Sequence, residues 1–130
     1  MTDNIIILND EYKNKNSKIR INNMTNLLLQ LFDNYYFYIG ATNDPYTRIN
    51  GHKQDYDNIS HMFVIGNCKT RERTEIYEKY LINKFGKHYN NIKKLTNYEE
   101  GQTGGGEGYK NDTVYIYLLF MNKNEYQNYI

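Results

Sequence analysis

The stretch from Tyr35 to His52, YYFYIGATNDPYTRINGH, constrains the fold more than any other part of the chain. Its aromatic and β-branched residues favour an extended strand, and Gly40 allows the backbone to turn sharply where that strand ends. Asp44 and Pro45 are typical of a helix start. An aspartate oxygen can accept hydrogen bonds from free backbone N–H groups, and proline at the first helical position loses none. The stretch therefore predicts a strand, a turn and a helix in direct succession.

Arg48 and His52 are four residues apart on the predicted helix, so they share one of its faces. A guanidinium and an imidazole held together beside a strand end are suited to binding an anion such as a phosphate. The pattern predicts an anion site where the helix meets the strand.

Three later segments carry clear signals of secondary structure. Residues 60–66 alternate polar and apolar side chains and predict a strand that ends at Gly66. Thr70 is a candidate cap for a helix from Arg71 to about residue 85, ended by Gly86. Residues 113–121 form the strongest strand signal in the chain.

A helical wheel of residues 71–85 separates the carboxylates of that helix. Glu72 and Glu75 point away from the apolar side, whereas Glu78 lies at its edge. We therefore expect only Glu78 to face a cleft between the helix and the sheet. The predicted apolar stripe comprises Ile76, Tyr77, Tyr80, Leu81 and Phe85.

The segment from Ile19 to Phe32 supports two interpretations. Thr25 could cap a short helix, or residues 27–32 could form a strand joined to Tyr35 by a tight turn. Short apolar runs do not distinguish helix from strand. Both interpretations stay open from the sequence.

The length of 130 residues fits a single domain, residues 1–130, with a core at about residues 27–98. Residues 5–8 are an apolar run that predicts either an edge strand or a docked tail. Residues 99–111 are rich in glycine and predict a mobile surface loop.

Charge and cysteine content exclude several classes of protein. The net charge of +1 gives no global basic field for nucleic acid, although residues 67–98 are locally basic. Cys68 is the single cysteine, which excludes an internal disulfide and a cysteine-based zinc site. The apolar run at residues 114–121 is far shorter than the roughly 20 residues that span a bilayer, and the first ten residues do not resemble a secretory signal. We expect a soluble intracellular protein of the cytoplasm or nucleus, or of the host cell if it is viral, with no membrane partner.

Six positions in register resemble the GIY-YIG nucleases. Tyr38-Ile39-Gly40 resembles the second motif of that family, and the following Arg and His resemble its first helix. An E-x-x-L-I pattern and a later asparagine resemble the nuclease domain of the bacterial excision-repair enzymes. The six residues are Tyr38, Gly40, Arg48, His52, Glu78 and Asn90.

The resemblance implies an α+β domain with a small, about three-stranded antiparallel sheet flanked by helices. It implies an endonuclease that hydrolyses DNA with Mg²⁺ or Mn²⁺ held by Glu78. One carboxylate suffices for such an ion, because Mg²⁺ keeps several waters and also binds substrate phosphate. By the same resemblance, Arg48 stabilises the phosphate, His52 and Tyr38 handle protons and orient water, and Asn90 braces the site.

The chain departs from the family at the first motif. Residues 26–28, about ten positions before Tyr38, read Asn-Leu-Leu instead of GIY, so the tyrosine that the family uses as its base is missing from its usual place. Tyr35 or Tyr36 are candidates to replace it.

The carboxyl-terminal strand offers another replacement. Residues 113–115, Thr-Val-Tyr, resemble GIY with threonine in place of glycine. We hypothesise that this strand pairs beside the YIG strand in a permuted arrangement and places Tyr115 in the site, with Tyr117 as the alternative. The competing interpretation is an ordinary structural strand.

Two other functions compete with that of an enzyme. One is a catalytically inactive nucleic-acid-binding module that keeps the fold and has lost the base. The other is a protein-interaction domain that uses the basic helix face. The oligomeric state stays open, with a dimer among the alternatives.

Overall fold

The computed structural model describes residues 18–55, 59–89 and 114–122. These residues form three helices, three strands and their connections. The elements in chain order are α1 (Lys18–Leu31), β1 (Tyr35–Thr42), α2 (Pro45–Asp55), β2 (Ile59–Gly66), α3 (Arg71–Tyr89) and β3 (Tyr115–Asn122). The small α+β fold predicted from the sequence is confirmed.

The strand nearest the carboxyl end, β3, is the centre of the sheet. The order is β1-β3-β2, and both outer strands pair antiparallel to β3. Tyr117 lies opposite Gly40 of β1 on one side and Val64 of β2 on the other. The permuted pairing of the carboxyl-terminal strand beside the YIG strand is therefore confirmed. Because β1 and β2 are parallel to each other, the helices that follow them, α2 and α3, both begin at the same end of the sheet.

Helix α1 resolves the ambiguity at residues 19–32, and the strand interpretation is wrong. Ile21, Leu28 and Leu29 are buried at helical spacing. Thr25 lies in the middle of the helix and caps nothing, since its Oγ1 donates a hydrogen bond to the carbonyl of Ile21 at 2.8 Å. The position beside β1 that the strand would have taken is filled by β3, whose residues are almost entirely buried.

The start of α2 is capped as the sequence predicts. Oδ1 of Asp44 accepts hydrogen bonds from the backbone N–H groups of Tyr46 at 3.1 Å and Thr47 at 3.2 Å. Oδ2 of Asp44 accepts a third from the Thr47 hydroxyl at 2.8 Å. These bonds, the hydroxyl of Thr47 first, lower the pKa of Asp44 because they stabilise its charged form.

Helix α3 begins as predicted but extends further. The Thr70 hydroxyl accepts a hydrogen bond from the backbone N–H of Arg73 at 3.2 Å, which confirms the predicted cap. The helix does not end at Gly86 and continues to Tyr89. The glycine has a buried environment inside the helix and does not act as a terminator there.

The predicted apolar stripe of α3 is wrong in its position around the helix, because two of its five residues are exposed. Ile76 and Tyr80 are 64% and 48% exposed. Glu78 is 0% exposed, so it lies inside the buried stripe and not at its edge. The stripe that is buried comprises Thr74, Tyr77, Glu78, Leu81, Ile82 and Phe85.

The sheet has two different faces. The core face packs against α1 and α3 and comprises Phe37, Ile39, Phe63, Ile65, Ile116, Leu118 and Phe120. The tyrosine face packs against Ile49 of α2 and comprises Tyr36, Tyr38, Met62, Val64, Tyr115, Tyr117, Leu119 and Met121. The two faces follow from the two-residue period of side chains along each strand.

The hydrophobic core of the described residues includes Ile21 of α1 and the buried positions 116–121 of β3. The apolar run at residues 5–8 and the glycine-rich segment 99–111 lie outside the described residues. Within the part of the chain that is described, no helix has the length and apolar content needed to cross a bilayer.

Candidate active site

Three polar side chains meet on the tyrosine face. Nε2 of His52 lies 2.6 Å from the hydroxyl of Tyr117, a hydrogen bond whose direction depends on the histidine tautomer. The Tyr38 ring packs edge-on against the His52 ring, with centroids 4.7 Å apart, and stacks on the Tyr117 ring at 6.2 Å and 17°. We call Tyr38, His52 and Tyr117 the site cluster.

Gly40 makes room for the cluster. A Cβ atom at this position would lie 2.8 Å from Cε2 of Tyr117 and closer still to its Cζ and hydroxyl. A glycine opposite Tyr117 is therefore needed for the ring to lie flat across β1 and reach His52. The glycine of the YIG triplet has a specific packing role in this chain.

Burial sets the chemistry of the cluster. His52 is 7% exposed and Tyr117 is fully buried, whereas Tyr38 is half-buried. A hydrogen bond in a site of low dielectric is strong and fixes the orientation of the imidazole. Because Nε2 is bonded to the buried Tyr117 hydroxyl, a proton exchange between His52 and a substrate would have to use Nδ1.

Arg48 lies one helical turn before His52, and its side chain is half-buried. Ile49 faces the sheet. Around the axis of α2, His52 lies about 60° from Ile49, and Arg48 lies about 40° further in the same direction. The His52 contacts with β3 and β1 show that this direction leads from the centre of the sheet towards β1. Arg48 therefore lies on the flank of α2 that is turned towards β1.

Glu78 is on helix α3, which packs on the opposite face of the sheet from the site cluster. Helix α3 packs on the core face, chiefly against β1, while α1 covers β2. On α3, the Tyr77 hydroxyl donates to the Lys18 carbonyl at 2.8 Å, and Lys84 donates to Asn22 at 2.6 Å, so these residues mark the flank that faces α1. Glu78 lies about 100° from Tyr77, on the flank turned away from α1 and towards the outer edge of β1.

The sequence-predicted residues thus fall into two groups. The structure brings Tyr38, His52 and Gly40 together with Tyr117 of β3. It places Arg48 beside them on α2 and buries Glu78 on the helix across β1. Tyr115 lies half-buried on the same face of β3, opposite Thr42, and Asn90 lies outside the described residues.

Tyr117 is the tyrosine of β3 that contacts His52. The triplet at residues 113–115 directed attention to Tyr115, which lies two residues nearer the start of the strand. The pairing of β3 with β1 identifies Tyr117. In that register Tyr117 lies opposite Gly40, which has no side chain and so leaves space for the Tyr117 ring.

The chain also matches a family model. Residues 23–91 match the GIY-YIG catalytic domain, which is just over half of the 130 residues. The chain belongs to the GIY-YIG family. It has no significant match among curated proteins or among solved structures.

Membership of the GIY-YIG family identifies the chain with a nuclease-type class of proteins whose substrate is nucleic acid. The matched range contains Tyr38, Gly40, Arg48, His52 and Glu78. It does not contain β3, so the strand at the centre of the sheet and its Tyr117 come from outside the range that the family model recognises.

The side chains that could bind a metal ion can be compared with what different ions require. Among residues 18–55, 59–89 and 114–122, no three His, Cys, Asp or Glu side chains cluster as a ligand set. That excludes, for the described residues, a tetrahedral zinc site of the usual kind. Carboxylate oxygens such as those of Glu78 are the type of ligand that hard ions such as Mg²⁺ and Mn²⁺ prefer.

Proposed function

We propose that this chain is a metal-dependent endonuclease that hydrolyses phosphodiester bonds of DNA. The observation that carries the proposal is the site cluster, in which a buried imidazole contacts two tyrosines, one helical turn after Arg48. Buried, hydrogen-bonded polar groups of this kind are typical of sites that move protons. The nuclease-type family assignment supplies the class of reaction.

Arg48 binds the scissile phosphate. Its permanently charged fork matches two phosphate oxygens and stabilises the negative charge that develops on them. Tyr38, the half-buried member of the cluster, orients the attacking water, and His52 takes or supplies the proton. Asn90 braces the site, as the resemblance to the family implies.

Glu78 holds the divalent ion, Mg²⁺ or Mn²⁺. When bound, such an ion polarises the phosphate and makes its bound water more acidic. Full burial of a carboxylate is costly unless the charge is compensated, so a cation is a suitable partner for Glu78. The flank of α3 that carries Glu78 and the flank of α2 that carries Arg48 both turn towards the outer edge of β1, which supports one shared pocket there.

Tyr117 acts as a positioning residue. Its buried hydroxyl does not face substrate; it fixes the ring orientation of His52 and determines which nitrogen carries the proton. For Tyr117→Phe we expect kcat to fall about tenfold or more while KM changes less than twofold, together with a changed dependence of kcat on pH. A structural role alone would lower stability and leave the pH dependence of kcat unchanged.

The decisive assay is plasmid nicking in the presence of Mg²⁺. The variants are Glu78→Gln and Arg48→Ala, with Glu75→Gln as the matched control, because Glu75 is on the same helix but is half-buried and pairs with Arg71 at 3.2 Å. We expect Glu78→Gln and Arg48→Ala to lose about 10²-fold or more in rate and Glu75→Gln to retain it. Equal activity in the wild type, Glu78→Gln and Arg48→Ala would reject the proposal.

A second candidate function is a nucleic-acid-binding module without catalysis. Full burial of Tyr117 favours it, because the β3 tyrosine that contacts His52 cannot itself touch a substrate. This function predicts DNA binding that weakens steeply with salt, without strand breakage. Mg²⁺-dependent cutting that is abolished by Glu78→Gln would exclude it.

A further inference from the structure

A row of four side chains on helix α3 combines two cations with two aromatic rings. Arg73, Tyr77, Tyr80 and Lys84 have the spacing i, i+4, i+7 and i+11, which places them within about 60° of one another around the helix axis. The glutamates of α3 at positions 72, 75 and 78 lie at least about 80° from every member of this row. The row is therefore a positively charged stripe that excludes the carboxylates of its own helix.

Helix α1 adds a third cation and fixes the row in place. Nζ of Lys18 lies over the Tyr77 ring, 5.8 Å from its centroid, and the Tyr77 hydroxyl donates to the Lys18 carbonyl at 2.8 Å. Nζ of Lys84 donates to Oδ1 of Asn22 at 2.6 Å and lies 5.9 Å from the centroid of the Tyr80 ring. The Tyr77 and Tyr80 rings stack at 5.1 Å and 22°. Each ammonium group is thus positioned beside a tyrosine ring where the two helices meet. We call this surface the helix seam; it comprises Lys18, Arg73, Tyr77, Tyr80 and Lys84.

The helix seam presents one of its rings to solvent. Tyr80 is 48% exposed, and the lysines at positions 18 and 84 are exposed, whereas Tyr77 is buried. Ile76, one helical turn before Tyr80, is 64% exposed and extends the apolar part of this surface. A tyrosine ring that is already held by a stack offers a large contact area at a low cost in side-chain entropy. The seam therefore has an ordered aromatic platform between cations.

The helix seam is separate from the site cluster. Helices α1 and α3 pack on the core face of the sheet, whereas the site cluster is on the tyrosine face. On α3 itself, Tyr77 and Lys84 are on the flank that faces α1, and Glu78 is on the flank turned away from it. The seam therefore lies outside the proposed catalytic pocket.

We propose that the helix seam binds a single-stranded segment of nucleic acid at a surface separate from the nuclease site. Charge complementarity selects the ligand, because three cations match a chain of phosphates and the family assignment supplies nucleic acid as the polyanion. The exposed Tyr80 ring stacks on an unpaired base, whose face is accessible in a single strand. Such stacking tolerates any base, so the seam holds a strand without reading its sequence.

The test is binding of a fluorescent oligothymidylate, measured by anisotropy in EDTA at several salt concentrations. Tyr80→Ala removes the exposed ring, Tyr80→Phe keeps it, and Lys84→Gln removes one ammonium group. Tyr46→Ala is the matched control for the ring, because Tyr46 is a 66% exposed tyrosine on α2. Lys79→Gln is the matched control for the charge, because Lys79 is exposed on α3 about 140° from Lys84.

We expect Tyr80→Ala to bind the oligonucleotide about tenfold more weakly and Tyr80→Phe to bind within about twofold of the wild type. Lys84→Gln should bind about threefold more weakly and reduce the slope of log affinity against log salt by about 0.7, the share of one phosphate contact. Tyr46→Ala and Lys79→Gln should bind within about twofold of the wild type. Every variant should melt within about 3 °C of the wild type, because the substituted side chains are exposed.

Three results would overturn the inference. The first is wild-type affinity in Tyr80→Ala, and the second is an equal loss in Lys84→Gln and Lys79→Gln, because binding would then depend on charge in general. The third is a dimer that sedimentation detects without oligonucleotide and that Tyr80→Ala abolishes, which would assign the seam to a second copy of the chain. Because these measurements do not require cleavage, the nuclease proposal is tested separately by the nicking assay with Glu78→Gln.

Discussion

The two faces of the sheet carry different kinds of side chain. The core face presents phenylalanine and aliphatic residues to α1 and α3, and its members are buried with no polar atoms. The tyrosine face presents hydroxyl groups, and α2 brings an imidazole to them. Alternation along three strands thus separates the part of the molecule that supplies hydrophobic stability from the part that offers proton-transfer groups.

Glu78 is an exception on the core side of the sheet, because it is an acidic residue among mostly apolar neighbours. It is a fully buried carboxylate on α3, a helix that otherwise packs apolar residues against the core face. Burying a carboxylate is costly unless it is compensated, which is consistent with the functional role proposed for Glu78. The two faces share strand β1. Helix α3 with Glu78 packs on one face of this strand, and the site cluster lies on the other.

The largest effect is expected on stability at Phe37, which is on the core face of β1. Phe37→Ala should destabilise the fold by about 3–5 kcal/mol, because it removes a buried ring and leaves a cavity. Urea denaturation of the purified variant measures this. A loss below about 1 kcal/mol would show that the core face does not carry the stability.

Tyr38, the residue after Phe37, is on the tyrosine face, and its substitution tests activity instead of stability. Tyr38→Phe keeps the ring that packs on His52 and removes the hydroxyl, so we expect nicking to slow by about 10–100-fold. The free energy of unfolding should change by less than about 1 kcal/mol. Unchanged nicking with reduced stability would assign Tyr38 to the core and remove the contrast between the faces.

Gly40 and Tyr117 should behave as one unit across β1 and β3. Gly40→Ala places a methyl group against the Tyr117 ring and should cost about 1–3 kcal/mol. In the double variant Gly40→Ala/Tyr117→Leu, the second change should remove most of that cost, which a double-mutant cycle detects as non-additivity. Simple additivity of the two changes would show that the ring does not depend on Gly40.

The smallest effect is expected at the exposed cap of α2. Asp44→Ala should cost about 1 kcal/mol near neutral pH, since two backbone N–H groups lose their acceptor. The folded pKa of Asp44 is lowered, so its stabilisation is present above its ordinary value of 3.8 and is lost as the pH falls through the lower folded value. Thermal melts of the wild type and of Asp44→Asn from pH 6 to pH 2 measure it. The wild type should lose the extra stability only below about pH 4, and an equal loss in Asp44→Asn would assign the effect to other groups.

Local signals in the sequence predicted the elements next to the site. Asp44 with Pro45 and Thr70 mark helix starts by hydrogen bonds within a few residues, and those bonds form as expected. The strand at residues 59–66 followed from periodicity alone, whereas the helical wheel placed Glu78 at the edge of the stripe and the structure buries it completely. Signals of this kind depend on neighbours in the chain, which the sequence displays directly.

The errors arose where distant parts of the chain decide the structure. Residues 27–31 are helical, and β3, far along the chain, takes the place beside β1. Tyr80 and Ile76 were assigned to the buried stripe of α3 because they are apolar, but the stripe is fixed by where α1 and β1 lie. The sequence left Tyr115 and Tyr117 as alternatives, and the choice between them depends on the register of β3 with Gly40, which no local pattern contains.

Crystals soaked with Mn²⁺ and measured for anomalous diffraction test most directly whether the two sides meet at β1. We predict an anomalous peak bound to the Glu78 carboxylate at the outer edge of β1, in a cavity that the Arg48 guanidinium also faces. A fully occupied Mn²⁺ site elsewhere, or an Mn²⁺ ion at Glu78 that the Arg48 guanidinium does not face, would contradict a shared catalytic site.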